Sequence, residues 1–145
     1  MNFVYTYGYK LDQAVKAVKL DVLKRLQSLD LNITPDQWFI LELLFEQPEG
    51  SSQNEIANAT NKDAPTVSRI IDLLCKKNYT SRKPFDGDRR KHNIILTDAG
   101  HELVKSTQHE IDLGYSLGWN DLNNEDLQHL DRITNKIISN YSLPS

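Results

Sequence analysis

Asp86-Gly-Asp-Arg-Arg-Lys-His-Asn-Ile-Ile-Leu-Thr-Asp-Ala-Gly100 is the stretch that decides the fold. It places a charged turn, a short apolar strand and the start of a helix within fifteen residues. A polar tip between two short strands is typical of a β-hairpin. We interpret this hairpin as the wing of a winged helix-turn-helix protein.

The preceding segment, Ala64-Pro-Thr-Val-Ser-Arg-Ile-Ile-Asp-Leu-Leu-Cys-Lys-Lys77, predicts a helix with two different faces. Its first turn is polar, whereas Val67, Ile70, Ile71 and Leu74 recur at helical spacing. One face would be buried, and the N-terminal end would be free to enter a DNA major groove. This is the layout of a recognition helix.

Charge is unevenly distributed along the chain. The net charge of -3 over 145 residues would by itself argue against a nucleic-acid partner. Residues 62–91, however, hold nine Lys and Arg against four Asp, a net +5, while the rest, with eight cations and sixteen carboxylates, sums to -8. A solvated surface is the alternative explanation, but coincidence with a helix-turn-helix pattern favours a DNA-binding face.

Length and composition exclude several classes of protein. A chain of 145 residues fits one domain without a separate catalytic module. It has no glycine-rich phosphate loop, nucleophile elbow or Cys-x-x-Cys motif, so we expect neither an enzyme nor a cofactor. No stretch approaches the roughly 18 apolar residues that span a bilayer, and no basic region followed by an apolar block begins the chain. We expect a cytoplasmic protein with no membrane partner, consistent with a single cysteine.

Polar caps predict where the other helices begin. They are the capping boxes Thr34-Pro-Asp-Gln37 and Ser52-Gln-Asn-Glu55 and the single caps Asp63, Thr97 and Asn123. Apolar periodicity predicts a first helix through about residue 29. The recognition helix should end near Asn78, because Asn adopts the left-handed conformation of a C-terminal cap. Two short strands are predicted, Tyr79 to Lys83 and Asn93 to Leu96.

Several separated motifs resemble the MarR family of transcription regulators, and together they cover nearly the whole chain. They are Ile33-Thr-Pro-Asp-Gln-Trp-Phe-Ile-Leu41, Thr66-Val-Ser-Arg-Ile-Ile-Asp72, Asp88-Arg-Arg90 and Leu96-Thr-Asp-Ala-Gly100. The resemblance implies a mainly α fold. A winged helix-turn-helix lobe with a two-stranded β wing would occupy residues 34–97, and dimerisation helices would occupy residues 1–30 and 98–145.

The resemblance also implies a function. A homodimer would bind a pseudo-palindromic operator in double-stranded DNA, as a sequence-specific repressor of transcription. A small amphipathic or aromatic effector, or oxidation in some members, would change the spacing of the two lobes and release the DNA.

The two ends of the chain also favour a dimer. The last predicted helix carries an apolar stripe that must be buried somewhere. The stripe consists of Leu127, Leu130, Ile133, Ile137, Ile138 and Tyr141. The alternative is a monomeric bundle of the first, fifth and sixth helices. At the other end, Phe3, Tyr5, Tyr7 and Tyr9 fit a strand period, whereas Phe3, Tyr7 and Leu11 fit a helix. They form either an arm on the partner subunit or a loosely ordered tail.

The start of the recognition helix supplies the predicted base contacts. They are Ala64, Pro65, Thr66, Ser68 and Arg69. Arg69 is the best base reader, because a guanidinium pairs bidentately with guanine, and a salt bridge with Asp72 or Asp63 is the alternative. Ser52, Gln53 and Lys62 lie where helix ends and the connecting turn meet phosphate, so they would position rather than specify.

The triplet Asp88-Arg89-Arg90 resembles the Asp-x-Arg tip of the MarR wing. By that match Arg90 would enter the minor groove, and Asp88 would hold its side chain in an extended pose. Arg89, Lys91 and His92 would lie along the DNA backbone. A narrow A/T-rich groove would attract such an arginine through its negative potential.

Trp38 and Cys75 each have two competing explanations. Trp38 either fills the core or borders an effector pocket between the lobe and the dimerisation helices, where MarR members take aromatic acids and other amphipathic molecules. Cys75 is either a small buried hydrophobe or, with Lys76 and Lys77 beside it, a redox-sensitive thiolate. MarR peroxide sensors carry their reactive cysteine on the first helix, which here has none.

A metal site is not expected. Its candidate ligands are His101, His109, Glu110 and Asp112. The two histidines are two turns apart and neither has a partner at i+4, so a solvated helix face is predicted. A winged helix that serves only protein assembly is the remaining rival, and the basic segment argues against it because such a module needs no basic recognition helix.

Overall fold

The computed structural model describes residues 2–85 and 87–142. Six α-helices and three β-strands follow one another within these residues. Their bounds are α1 (Phe3–Ser28), α2 (Pro35–Phe45), β1 (Ser51–Ser52), α3 (Gln53–Thr60), α4 (Ala64–Lys76), β2 (Thr80–Phe85), β3 (Asp88–Leu96), α5 (Asp98–Leu117) and α6 (Asn124–Ser142). The expected fold, mainly helical with a small antiparallel wing, is confirmed.

Side-chain caps begin the helices where the sequence predicted them. In each, a side-chain oxygen accepts a hydrogen bond of 2.8 to 3.2 Å from the backbone N–H three residues ahead. The caps are Thr34, Ser52, Asp63, Thr97 and Asn123. Each such bond is worth about 1 kcal/mol. After α4, Asn78 has a φ of 63°, the left-handed conformation expected of it.

The sheet is antiparallel, with the strand order β1-β3-β2. β2 and β3 form the wing hairpin, in which Thr80 pairs with Leu96. Both strands reach further towards the tip than the sequence predicted. β1 was not predicted at all, and it pairs Ser51 with Ile94 and Ser52 with Asn93. The start of α3 is thereby fixed beside the wing.

One hydrophobic core joins the helix-turn-helix to α1, α2 and α5. Its largest fully buried side chain is that of Trp38, whose indole N–H donates to Thr107 Oγ1 at 2.8 Å. Ile71 and Leu74 of α4 and Ile111 of α5 are also fully buried. Because α5 completes this core, the winged lobe shares one hydrophobic interior with α1 and α5.

The two ends of the described chain stand apart from this core. α1 begins at Phe3, so the strand interpretation of the N-terminal aromatics is wrong, and so is the loosely ordered tail. Asn2 caps this helix by accepting a hydrogen bond from the Val4 N–H at 3.0 Å. α6 buries none of its residues, so it does not close a monomeric bundle with α1 and α5.

Among residues 2–85 and 87–142, no helix has both the length and the apolar character needed to cross a membrane.

Candidate nucleic-acid interface

The N-terminal turns of α4 present the residues predicted to face DNA. Val67, Ile71 and Leu74 anchor the opposite face of the helix in the core. Among the predicted base contacts, Ala64, Pro65 and Arg69 are exposed, and Thr66 and Ser68 are partly exposed. α4 therefore has one buried face and one accessible N-terminal face.

Asp63 is committed to capping this helix. A hydrogen bond from the Thr66 side chain, and then one from the Thr66 backbone N–H, hold the pKa of the Asp63 carboxyl below its usual range. The carboxylate is thus ionised at neutral pH and belongs to the helix terminus, where negative charge is favourable.

Arg69 forms no ion pair with any residue that the structure describes. Its guanidinium reaches only the hydroxyl of Thr66, at 3.4 Å. Of the two carboxylates that could have bound it, Asp63 caps the helix and Asp72 pairs with Arg82 at 2.6 Å. The alternative salt bridge is not formed, and the guanidinium is exposed.

A concave surface of about 450 Å³ lies between the start of α3 and the wing. It brings together five residues that the sequence assigned to DNA from separate motifs, namely Ser52, Gln53, Arg90, Lys91 and His92. The pairing of β1 with β3 creates this proximity.

Asp88 makes a different contact from the one expected. Its Oδ1 accepts a hydrogen bond of 2.9 Å from the backbone N–H of Arg90, rather than holding the guanidinium. The carboxylate thus fixes the backbone from which the Arg90 side chain extends. The Arg89 side chain and Asp86 lie outside the described part of the chain.

Lys62 is bound by a carboxylate. Its Nζ lies 2.9 Å from Asp36 of α2, which also pairs with Lys19 of α1 at 2.9 Å. Burial raises the pKa of Asp36, but hydrogen bonds from Lys62 and Lys19 outweigh it and leave the pKa below its usual range. Part of the Lys62 charge is therefore neutralised, and its contact with phosphate stays a prediction.

Arg82 and Asn93 also line the concave surface, and the sequence did not single them out. Arg82 lies on β2, and its pair with Asp72 ties the wing to α4. The charge count did include Arg82, but nothing local showed which way its side chain would face. Asn93 enters through the two-residue strand β1, which is too short for a periodic signal.

Cys75 lies in a polar setting at the end of α4. The thiol is half-buried, 3.3 Å from the hydroxyl of Thr80 and 3.8 Å from the guanidinium of Arg82. It is therefore neither a fully buried hydrophobe nor a freely exposed thiol.

The candidate metal ligands on α5 are engaged separately. His101 packs edge-on against Phe45, with ring centroids 5.5 Å apart, and Glu110 accepts from Arg25 at 2.6 Å. No group of three or more His, Cys, Asp or Glu side chains that could hold a metal ion occurs among the described residues.

Trp38 combines the two roles that the sequence left open. It is 1% exposed, yet it also borders a pocket of about 300 Å³ between α2 and α5. The other lining residues are Phe39, Glu42, Asp112 and Tyr115.

Comparison with known proteins gives this geometry a context. Residues 33–92 match the model of the MarR family. MepR of S. aureus, in a complex with DNA, has a TM-score of 0.83 and is 29% identical over 93% of this chain and 98% of that chain.

Two further structures share the fold at lower identity. AbsC, a MarR family transcriptional regulator from Streptomyces coelicolor, has a TM-score of 0.82 and 21% identity over 98% of this chain and 97% of its own. CouR from Rhodococcus jostii RHA1, bound to p-coumaroyl-CoA, has a TM-score of 0.76 and 19% identity over 90% of both chains. Residues 33–92 therefore match the MarR family model, and the chain has the fold of MarR family transcriptional regulators along nearly its whole length.

Proposed function

We propose that this protein is a sequence-specific regulator of transcription that binds double-stranded DNA as a homodimer. The observation that carries the proposal is the exposure of the α4 N-terminus together with a concave basic surface between α3 and the wing. The likeness to MepR, whose structure contains DNA, supports it across nearly the whole chain.

In this proposal the two surfaces have different tasks. Residues Ala64, Pro65, Thr66, Ser68 and Arg69 enter the major groove, and Arg69 reads a guanine through its unpaired guanidinium. Ser52, Gln53 and Lys62 bind phosphate and set the register.

The wing completes the interface in the same proposal. Arg90 enters the minor groove from a backbone that Asp88 fixes, while Arg89 and Lys91 follow the phosphates. The local net charge of +5 supplies the long-range attraction to DNA in a chain that is negative overall.

The unburied stripe of α6 supports the homodimer in this proposal. Its apolar side chains are between 36% and 89% exposed, which is an unusual amount of contiguous apolar surface for a protein without a partner. Residues 1–30 and 98–145 would supply the interface and residues 34–97 the DNA-binding lobe. We further propose repression, with DNA released by a small effector bound between the lobe and these helices.

Selection of duplex DNA from a random pool, followed by a salt titration, tests this function. We expect a pseudo-palindromic site with half-sites about one helical turn apart, and a log affinity that falls linearly with log salt by roughly 0.9 per phosphate neutralised. Sedimentation should show a dimer at micromolar concentration. A monomer, or no selected site, would refute the proposal and would favour a module for protein assembly.

A further inference from the structure

The pocket between α2 and α5 has an aromatic wall. Trp38, Phe39 and Tyr115 line it, and its volume of about 300 Å³ suits a ligand of one or two rings. The indole N–H of Trp38 is already bonded to Thr107 and the side chain is 1% exposed, so Trp38 forms the floor of the pocket and offers it no donor. Phe39 is 39% exposed, although it is a large hydrophobic residue next to the core.

The same pocket holds two carboxylates, Glu42 and Asp112, and neither forms an ion pair within the part of the chain that the structure describes. Carboxylates elsewhere along this junction are neutralised. Glu110 bonds Arg25 at 2.6 Å, and Asp36 bonds two lysines. No lysine, arginine or histidine of the described chain lines the pocket.

The unpaired charge of Glu42 is a cost to the folded protein. Burial, and then the negative charges of Asp112 and Glu46, raise the pKa of the Glu42 carboxyl. Burial and the charge of Glu42 likewise raise the pKa of Tyr115. A positive ligand would relieve both effects, whereas a carboxylate ligand would add to them.

We propose that this pocket binds an organic cation with an aromatic ring, held by the aromatic side chains and by the carboxylates of Glu42 and Asp112. Aromatic faces and carboxylates attract the same cation, through the ring quadrupole and through charge. The proposal reverses the expectation of an aromatic acid that the family resemblance suggested. That the cation acts as the effector rests on the proposed regulatory function, whereas its binding does not.

Titration with benzyltrimethylammonium, followed through the indole N–H resonance of Trp38, tests the binding. The resonance is distinguished from that of Trp119 with a Trp119→Phe variant. Benzoate and benzyl alcohol carry the same ring with a negative charge and with none. We expect saturable shifts with the cation, binding of the alcohol roughly tenfold weaker, and no saturation with benzoate.

Two isosteric variants locate the charge. Glu42→Gln and Asp112→Asn should each weaken binding of the cation by roughly tenfold. Glu102→Gln, which removes an exposed carboxylate elsewhere on α5, should leave the affinity unchanged. Equal binding of benzoate and the cation, or equal losses in all three variants, would overturn the proposal.

A separate DNA titration distinguishes the two hypotheses. If the protein binds its selected DNA and benzyltrimethylammonium does not shift the Trp38 resonance, only the cation site is wrong. If the protein binds no DNA, the regulatory function is wrong whatever the resonance shows. Weakened DNA binding in the presence of the cation, absent in Glu42→Gln, would establish the cation as an effector.

Discussion

Helices α4 and α6 are both amphipathic, but only α4 finds a partner for its apolar face within the described chain. In α4, Val67, Ile71 and Leu74 are fully buried. In α6, Ile133 is 45% exposed and Ile138 is 62% exposed. Two stripes of similar sequence pattern therefore have opposite environments.

The difference shows which part of the fold one chain completes. The helix-turn-helix buries its own core and leaves a polar face accessible, as a surface for DNA requires. α6 leaves an apolar face accessible, which costs roughly 25 cal/mol for each Å² that stays in water. A second copy of the chain is the occupant that we propose for this face, so the two helices predict two interfaces of different chemistry.

The largest expected effect is on the α6 side of the comparison. Ile133→Asp would place an uncompensated charge in the proposed dimer interface, at a cost of about 3 kcal/mol or more, which is at least a hundredfold in the dissociation constant of the dimer. Sedimentation equilibrium should show a monomer at micromolar concentration. Operator binding should weaken along with it, because the two half-sites are no longer held by one particle.

Gln128→Asp is the matched control, since it adds the same charge on the polar side of α6. It should remain dimeric. If both variants are dimeric, the stripe is not the interface, and α6 covers something other than a second copy.

The second prediction concerns the winged lobe, which buries its own core. A Cβ at Gly100 of α5 would overlap the carbonyl oxygen of Tyr79 and come within 3.1 Å of Leu96 Cδ2. Because the first neighbour is backbone and cannot rotate away, Gly100→Ala should destabilise the fold by about 3 kcal/mol, at the upper end for overpacked sites. A chemical denaturation curve measures this.

Gly8→Ala provides the contrast at the open end of the molecule. No heavy atom lies within 4 Å of a Cβ placed there, and Gly8 is inside α1. The variant should be more stable by about 0.5 to 1 kcal/mol, because alanine loses less backbone entropy than glycine in a helix. Equal destabilisation by the two alanines would mean that the start of α1 is as tightly packed as the lobe.

Interactions between residues close together in the sequence explain the predictions that were correct. The caps Thr34, Ser52 and Asp63 act within three residues, so their pattern is legible without a fold. Phe3 to Tyr9 fitted both a strand and a helix period, and in the structure they form the first turns of α1, which Asn2 caps. Strand β1 has two residues and no period at all.

The same distinction between local and long-range information applies to the candidate site. Residues at the start of a helix could be assigned from the sequence, because position along the helix determines which of them are accessible. The pair of Asp36 with Lys62 spans 26 positions, and that of Arg25 with Glu110 spans 85. Such pairs depend on how helices pack, and no local pattern encodes them.

The third prediction compares the contributions of α4 and of the wing to DNA binding. Arg69→Ala should weaken binding to the best operator by about 1 to 3 kcal/mol and flatten the base preference at one position of each half-site. Arg90→Ala should weaken binding while leaving the major-groove preference intact, because a wing reads groove shape more than base identity. Titrations against single-base operator variants at fixed salt measure both.

Lys105→Ala removes an exposed cation from α5 and should change neither property. If it weakens binding as much as Arg69→Ala, net charge rather than a specific contact controls affinity. Loss of base preference in Arg90→Ala would instead assign sequence reading to the wing.

The smallest expected effect is a gain in stability, and it concerns the pocket between α2 and α5. Burial, followed by the charges of Glu46 and Asp112, raises the pKa of Glu42, and Tyr115 is the remaining titratable group of the pocket. A pKa raised by folding means that the ionised carboxylate destabilises the folded state. This penalty is complete above the folded-state pKa and disappears as the pH falls through that pKa towards the usual value for glutamate.

Glu42→Gln should therefore raise the melting temperature slightly at about pH 7 and leave it unchanged at about pH 4. Glu102→Gln, on an exposed part of α5, should show no such dependence on pH. A lower melting temperature for Glu42→Gln at pH 7 would mean that a cation already neutralises Glu42 in the assembled protein, and the pocket would then be closed to a positively charged ligand.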